Sequence, residues 1–375
     1  MEQRIHMKLK ALIGTAVAAA VLTTGGMAAA APPNTGWDDI NDVITGSGSD
    51  TTYNFMQRAE LVYNQAAGCD TVNTSNTPLH AQCLTTGQTA TEIRGNWDHD
   101  MAVSVFPTGS GAGVSALQQD RVDYARSSRG PRTSGDSGTN FWAFGKDGVA
   151  VVSLTPRAGL NNLSKAQIQG IYNCTITNFS QLGQPAGVIE PVGLNPSSGT
   201  KATFDAYLGF DANNGSCVKK LSNGTFPFEN DVKPVLADPG INENNAIWWM
   251  SYAEFSSFSY KRGSATVISV DGSSPTAGTI ANNSYPITRF IYHVTKNTIT
   301  PQGSTSNLLG PDGGKQGAVR ELTEFLCKPT AEHAVNNFSG RSNYLEIGAA
   351  YTATGFVRLP VAERTNGICA FAPAP

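Results

Sequence analysis

Charge is scarce in this sequence. Lys, Arg, Asp and Glu together make up 15% of its residues, against about 25% in an average soluble domain. The formal net charge is only −3, so the chain lacks the basic surface that nucleic acid or an anionic membrane requires. An anionic ligand would have to be held by a local site instead of a global field. Histidine is also sparse, with five in 375 residues, and no Cys-x-x-Cys spacing occurs. Zinc and thioredoxin-type chemistry are thereby left without their usual ligands. Beyond Ala30 no run approaches the ~18 uninterrupted apolar residues of a membrane span, and no arginine lies between Arg157 and Arg262. Small polar residues are plentiful, glycine alone accounting for 39 positions.

The first 30 residues read as a secretory signal. Lys8 and Lys10 form a basic start, Ala11 to Leu22 an apolar stretch, and Ala28-Ala29-Ala30 a small-residue cleavage site, with Met7 a credible alternative start. No cysteine follows the cleavage site closely, so the mature chain is expected to be exported, periplasmic or extracellular, without a lipid anchor. Six cysteines, an even number in an exported protein, favour disulfides over metal or redox chemistry. Proximity along the chain predicts Cys69–Cys83, Cys174–Cys217 and Cys327–Cys369, each contributing roughly 2–4 kcal/mol.

Three segments rich in Gly, Ser and Thr stand where helices should begin. They are Thr45 to Thr52, Thr108 to Gly113, and Asn195 to Lys201, followed by apparent helices at Tyr53–Ala66, Val114–Gln119 and Ala202–Leu208. A helix N-terminus carries unpaired N–H groups and the positive end of the helix dipole. Glycine lets that backbone approach a ligand, and hydroxyls add neutral donors. Three such ends converging would cage a small oxyanion.

Strand-like and helix-like segments alternate along the chain. Strands are expected at Asp42–Thr45, Met101–Phe106, Val122–Ala125, Gly148–Leu154, Val188–Leu194 and Ile287–Val294. Helices are expected at Ser164–Tyr172 and Gly317–Cys327, and a loop at Asp271–Asn283. The alternation indicates an α/β architecture with mainly parallel sheets. After the signal peptide (1–30), residues 31–149 and 287–375 would form one lobe and 150–286 a second, inserted lobe. Two crossover strands would join them around a ligand cleft.

Other chemistry finds less support. Gly135-Asp136-Ser137-Gly138 is similar to the nucleophile segment of trypsin-like proteases, and His80 with Asp98 or Asp100 could complete a triad in the right order. The interval from His80 to Ser137 is far too short for two six-stranded barrels, and the α/β alternation contradicts them. Asp98-His99-Asp100 offers three adjacent side chains that rarely converge on one metal ion. Trp248 and Trp249 fit core packing better than a cleft wall.

In order and spacing the motifs resemble the periplasmic phosphate-binding proteins of ABC importers. The similarity covers most of the mature chain: Gly46 to Thr52, Gly109 to Val114, Val122 to Ala125, Phe144 to Val152, Leu163 to Tyr172 with Phe179 to Leu182, Ser198-Gly199-Thr200, and Tyr285-Pro286-Ile287. The resemblance implies a two-lobed type II binding-protein fold with two crossover strands. It also implies an anion-facing set of Ser49, Asp50 and Thr51, then Ser110, then Ser198, Gly199 and Thr200. Asp50 is also placed to cap the helix at Tyr53. Two positions depart from the family pattern. Ser128 stands where the family has an aspartate that accepts the proton of hydrogen phosphate, and Leu194 stands where it has an arginine. Arg129 or Lys201 is expected to replace the missing charge. The resemblance implies a monomeric, cofactor-free binding protein, not an enzyme, that captures phosphate or a related oxyanion and delivers it to a membrane ABC permease. The alternatives are a secreted phosphatase or other hydrolase, and an extracellular anion-binding module without a transport role.

Overall fold

Each of the three glycine-rich segments leads into a helix. The computed structural model describes residues 45–66, 108–228, 232–258, 262–301, 308–309, 347–364 and 369–373, with single residues between 319 and 327. The signal segment, the Met101–Phe106 strand, the Cys69–Cys83 pair, His80 and Asp98 to Asp100 lie outside the described residues.

In chain order the first elements are β1 (Gly46–Gly48), α1 (Tyr53–Ala66), α2 (Ser110–Gln118), β2 (Tyr124–Ser127) and β3 (Thr139–Ser153). The next are β4 (Asn162–Leu163), α3 (Lys165–Tyr172), β5 (Glu190–Pro191), α4 (Gly199–Leu208) and α5 (Lys233–Leu236). Then come β6 (Ala246–Ser251), α6 (Tyr252–Ser257), β7 (Thr266–Val270), α7 (Ala277–Ala281) and β8 (Thr288–Lys296). Toward the C-terminus follow β9 (Thr300–Pro301), β10 (Leu308–Leu309), α8 (Ile347–Thr354), β11 (Val357–Arg358) and β12 (Ala370–Pro373).

Local sequence explains several boundaries. Ser164 and Gln167 close a reciprocal capping box on α3. The Ser198 hydroxyl accepts from the Lys201 N–H to start α4, and Gly209 at φ 85° ends it in the left-handed conformation. The loop expected over Asp271–Asn283 contains α7, begun by a Thr276–Thr279 capping box. In the expected helix at Gly317–Cys327, the described residues Val319, Leu322, Thr323, Leu326 and Cys327 are helical.

The main sheet runs β1-β2-β8-β3-β6-β5, with β7, β11 and β12 also on β3 and β4 on β7. The strand β3 organises it. All 15 of its residues are buried, although only its last part, from Gly148, falls in the apolar run expected as a strand. Its first part, to Gly148, pairs with β8, β11 and β12, and its last part, from Val149, pairs with β6 and β7. Every one of those pairings is antiparallel. The parallel pairs are β1–β2, β4–β7 and β5–β6. The expectation of mainly parallel sheets is therefore corrected to a mixed sheet. Strand–helix alternation argues for parallel pairing only when consecutive strands become neighbours. Here the neighbours of β3 come from distant parts of the chain.

Among the described residues the apolar side chains gather into three cores. One is built wholly from residues between Val149 and Ile287, including Trp248, Trp249 and Phe204. The other two draw on both sides of that block: Phe55, Trp142 and Tyr351 in one, Val114, Phe141 and Val294 in the other. Trp249 is fully buried and stacks on Phe204 with ring centroids 4.4 Å apart, so it packs a core and lines no cleft. Disulfides join Cys174 to Cys217 and Cys327 to Cys369. Among the described residues no helix is long and apolar enough to cross a membrane.

Candidate functional site

Three helices, each rooted in a different core, bring their N-terminal residues to one place. Helix α1 is anchored by Phe55 and Met56, α2 by Val114 and Leu117, and α4 by Phe204 and Leu208. Glycine makes the approach possible. Gly113 lets α2 sit against β1, since a Cβ there would come within 2.6 Å of the Ser47 carbonyl oxygen. Gly109, at φ 88°, turns the chain into α2 where a side chain would strike Ser197. The Gly111 N–H donates across to the Ser197 carbonyl at 3.1 Å.

At the meeting point lies a cluster of buried hydroxyls. Ser49, Thr51, Ser110, Ser128 and Thr200 are each fully buried. The Ser49 hydroxyl donates to Ser128 Oγ at 2.9 Å, and Ser110 Oγ lies 3.3 Å from the same atom. Ser110 Oγ also accepts from the Ser128 N–H at 3.0 Å. Across the cluster, Thr51 and Thr200 bring their hydroxyls to 3.3 Å. Gly199 closes it, because a Cβ at that position would collide with the hydroxyls of both Ser110 and Ser128. Ser198, at the adjacent cap, uses its hydroxyl on α4. Asp50 is buried in the same turn as Ser49 and Thr51, and its carbonyl accepts from the Tyr53 N–H at the start of α1. The turn is held from behind by Arg126, which donates to the carbonyls of Ser49 and Gly46 at 3.3 Å each.

The cationic groups expected to stand near the anion are placed otherwise. Arg129 forms a bidentate pair with Asp136 at 2.6 and 2.9 Å and donates to the Gly130 carbonyl. It lines a neighbouring groove of about 560 Å³ together with Arg132, Thr203, Tyr207 and Thr288. Burial, and then the charge of Arg129, lower the pKa of Arg132. Lys201 reaches Asp205 and Asp211. Asp136, which opens the protease-like Asp136-Ser137-Gly138 run, is the partner of Arg129, and Ser137 is exposed.

A different arginine reaches the hydroxyls. Arg289 of β8 donates through Nη1 to Thr200 Oγ1 at 2.8 Å and to the Ser128 carbonyl at 3.2 Å. Its Nη2 lies 3.5 Å from Thr51 Oγ1. Sequence reasoning passed over it because it stands far from the family position at Leu194, in a segment read only as a strand. The signal was a single arginine in the strand-like segment Ile287 to Thr295, whose other residues are apolar or hydroxyl-bearing apart from His293. In that setting a charged side chain is expected to be buried only with a partner.

A cluster of buried hydroxyls at converging helix N-termini is chemically suited to accept a small oxyanion through hydrogen bonds. Among the described residues, no group of His, Cys, Asp and Glu is arranged to hold a metal ion.

Comparison with known proteins agrees with this architecture. The family model of the PBP superfamily domain matches residues 28–315. The phosphate-binding protein PstS of Bacillus subtilis (strain 168) is 29% identical over 206 residues, covering 54% of this chain and 63% of that protein. The chain thus spans less than two thirds of that curated relative. Among solved structures, a high affinity periplasmic phosphate-binding protein (PfluDING) bound with phosphate superposes with a TM-score of 0.50. It shares 16% identity over 85% of this chain and 91% of its own. A putative phosphate ABC transporter substrate-binding protein from Clostridium perfringens gives a TM-score of 0.47 and 21% identity, over 68% of this chain and 86% of its own. With the family model spanning well over half of the sequence, the chain belongs to the PBP superfamily domain family.

Proposed function

We propose that this protein captures a tetrahedral oxyanion, inorganic phosphate first among them, between two lobes and passes it to a membrane ABC permease. The lobes are residues 31–149 with 287–375 and residues 150–286. The observation that carries the reading is the convergence of Ser49, Thr51, Ser110, Ser128 and Thr200 from separate parts of the chain into one buried cluster. Ser49, Asp50, Thr51, Ser110, Ser128, Ser198, Gly199 and Thr200 form or frame the ligand site. The Bacillus relative and PfluDING, both called phosphate-binding, support the choice of anion. The protein acts as an exported monomer, periplasmic or extracellular.

Binding works by differential affinity. An anion touching Thr51 on one side and Thr200 on the other favours the closed arrangement by as much as it prefers that arrangement. Closure excludes water, and each donor gains strength in the lower dielectric. The role is binding, not turnover. Isothermal titration of dialysed mature protein with phosphate at pH 7, and with sulfate in parallel, tests the reading. Saturable phosphate binding at one site per chain is expected. Absence of binding by either anion would remove the proposed ligand class.

A further inference from the structure

The positive charge that the family carries where this chain has Leu194 has another source, distant in the sequence. Arg289 and Asp147 face each other as cross-strand partners in the β3–β8 ladder. Asp147 Oδ2 accepts from Arg289 Nε at 3.1 Å and Nη2 at 2.7 Å, and Oδ1 accepts from the Ala253 N–H at 3.1 Å. Both side chains are at most 3% exposed. The carboxylate is thus fixed by the backbone register, and it fixes the guanidinium with its outer edge toward the hydroxyls. That edge touches both sides of the site: Thr51 and the Ser128 carbonyl on one, Thr200 at the head of α4 on the other. An oxyanion held by those hydroxyls lies within reach of a guanidinium, whose planar fork matches two of its oxygens.

Resting on the oxyanion reading above, we infer that Arg289 is the charged ligand of the site. We further infer that it is the clasp through which the anion holds the two sides closed, with Asp147 as its positioning residue. Neutral hydroxyls alone would bind an anion with little regard to its charge. A guanidinium that contacts both sides makes closure depend on it. Its place on β8, one residue beyond the start of the strand, lets it reach α4 without belonging to the block that carries α4.

The test compares the wild-type protein with the Asp147→Asn/Arg289→Gln double variant and with Arg289→Lys. The double variant removes both buried charges together, so no unpaired charge is left to unfold the chain. Phosphate affinity is read by calorimetry, ligand-free stability by thermal melting, and closure by the fall in radius of gyration on adding phosphate. The double variant is expected to melt within a few degrees of wild type, to bind phosphate at least 100-fold more weakly, and to lose the compaction. Arg289→Lys keeps the charge but loses the fork, and is expected to bind about tenfold more weakly. If wild type binds phosphate and either variant stays within threefold of it, the inference falls while the oxyanion reading stands. If wild type binds neither phosphate nor sulfate, the reading itself falls, and the inference with it.

Discussion

Among the described residues two arginine–aspartate pairs lie buried near Ser128, and only one meets the hydroxyl cluster. Arg129 and Asp136 sit seven residues apart in a single loop, where the carboxylate also accepts from the Arg132 N–H. Arg289 and Asp147 are separated by 142 residues and meet through strand register. The local pair closes its own loop and leaves its guanidinium facing a groove. The distant pair leaves donors over for Thr200 and Thr51. A charge near a motif in sequence can be used up by its neighbours, whereas one delivered by the sheet arrives oriented.

The largest effects should show that the two pairs are alike in stability and unlike in binding. Arg289→Gln or Arg129→Gln alone strands a buried carboxylate, and each is expected to cost about 3–5 kcal/mol by chemical denaturation. Phosphate affinity should fall strongly in the first and less than tenfold in the second. Equal losses of affinity would erase the distinction.

Next comes a contrast along β8 itself. His293 shares a strand face with Arg289 by two-residue periodicity, but it is fully buried with neither ring nitrogen hydrogen-bonded. It packs on the Tyr124 ring at 5.0 Å. Burial pushes its pKa down to about 3. Below pH ~6.5 the unfolded histidine takes up a proton that the folded one refuses. Stability should therefore fall as the pH drops from 6.5 toward 3, by up to about 4 kcal/mol. Denaturation of His293→Phe across that range should show a shallower slope. A slope identical to wild type would mean other groups set the acid response.

Opening the Cys174–Cys217 bridge by Cys217→Ser should remove about 2–4 kcal/mol while leaving phosphate affinity unchanged, since the bridge lies away from the hydroxyls. Calorimetry at a temperature where both proteins are folded would check it. Smallest in free energy is Gly199→Ala. The added methyl meets Ser110 and Ser128, and a 10-to-100-fold loss of phosphate affinity is expected, about 1.4–2.8 kcal/mol. Melting without ligand should change less, which separates the site from the scaffold.

The hydroxyls of Ser49, Thr51, Ser110 and Thr200 were legible because each belongs to a glycine-rich turn that leads into a helix. Ser128 stands in no such pattern and was reached only through the family resemblance. The Ser164 cap of α3 and the apolar last part of β3 from Gly148 were equally open to reading, whereas the first nine residues of that strand, 139–147, were not. Strand pairing was not. Nothing in Ala246–Ser251 or Thr288–Lys296 states that both will run antiparallel to β3, because neighbours in a sheet are selected by tertiary packing. Arg289 escaped for the same reason. Its partner Asp147 is a sheet neighbour, not a sequence neighbour, and the pair exists only once the register does. Lys201 was misleading in the opposite sense: it stands next to the Ser-Gly-Thr turn but is drawn off by Asp205 and Asp211.

The division of the cores also has a consequence in time. A chain made from its N-terminus emits the whole of residues 149–287, and with them every fully buried residue of one core, before it emits β8. The flanking cores need Val294, Tyr351 and Cys369, so they can be finished only after nearly the entire chain is available. The later half must then assemble around an earlier one, its first strands waiting for partners that are synthesised last.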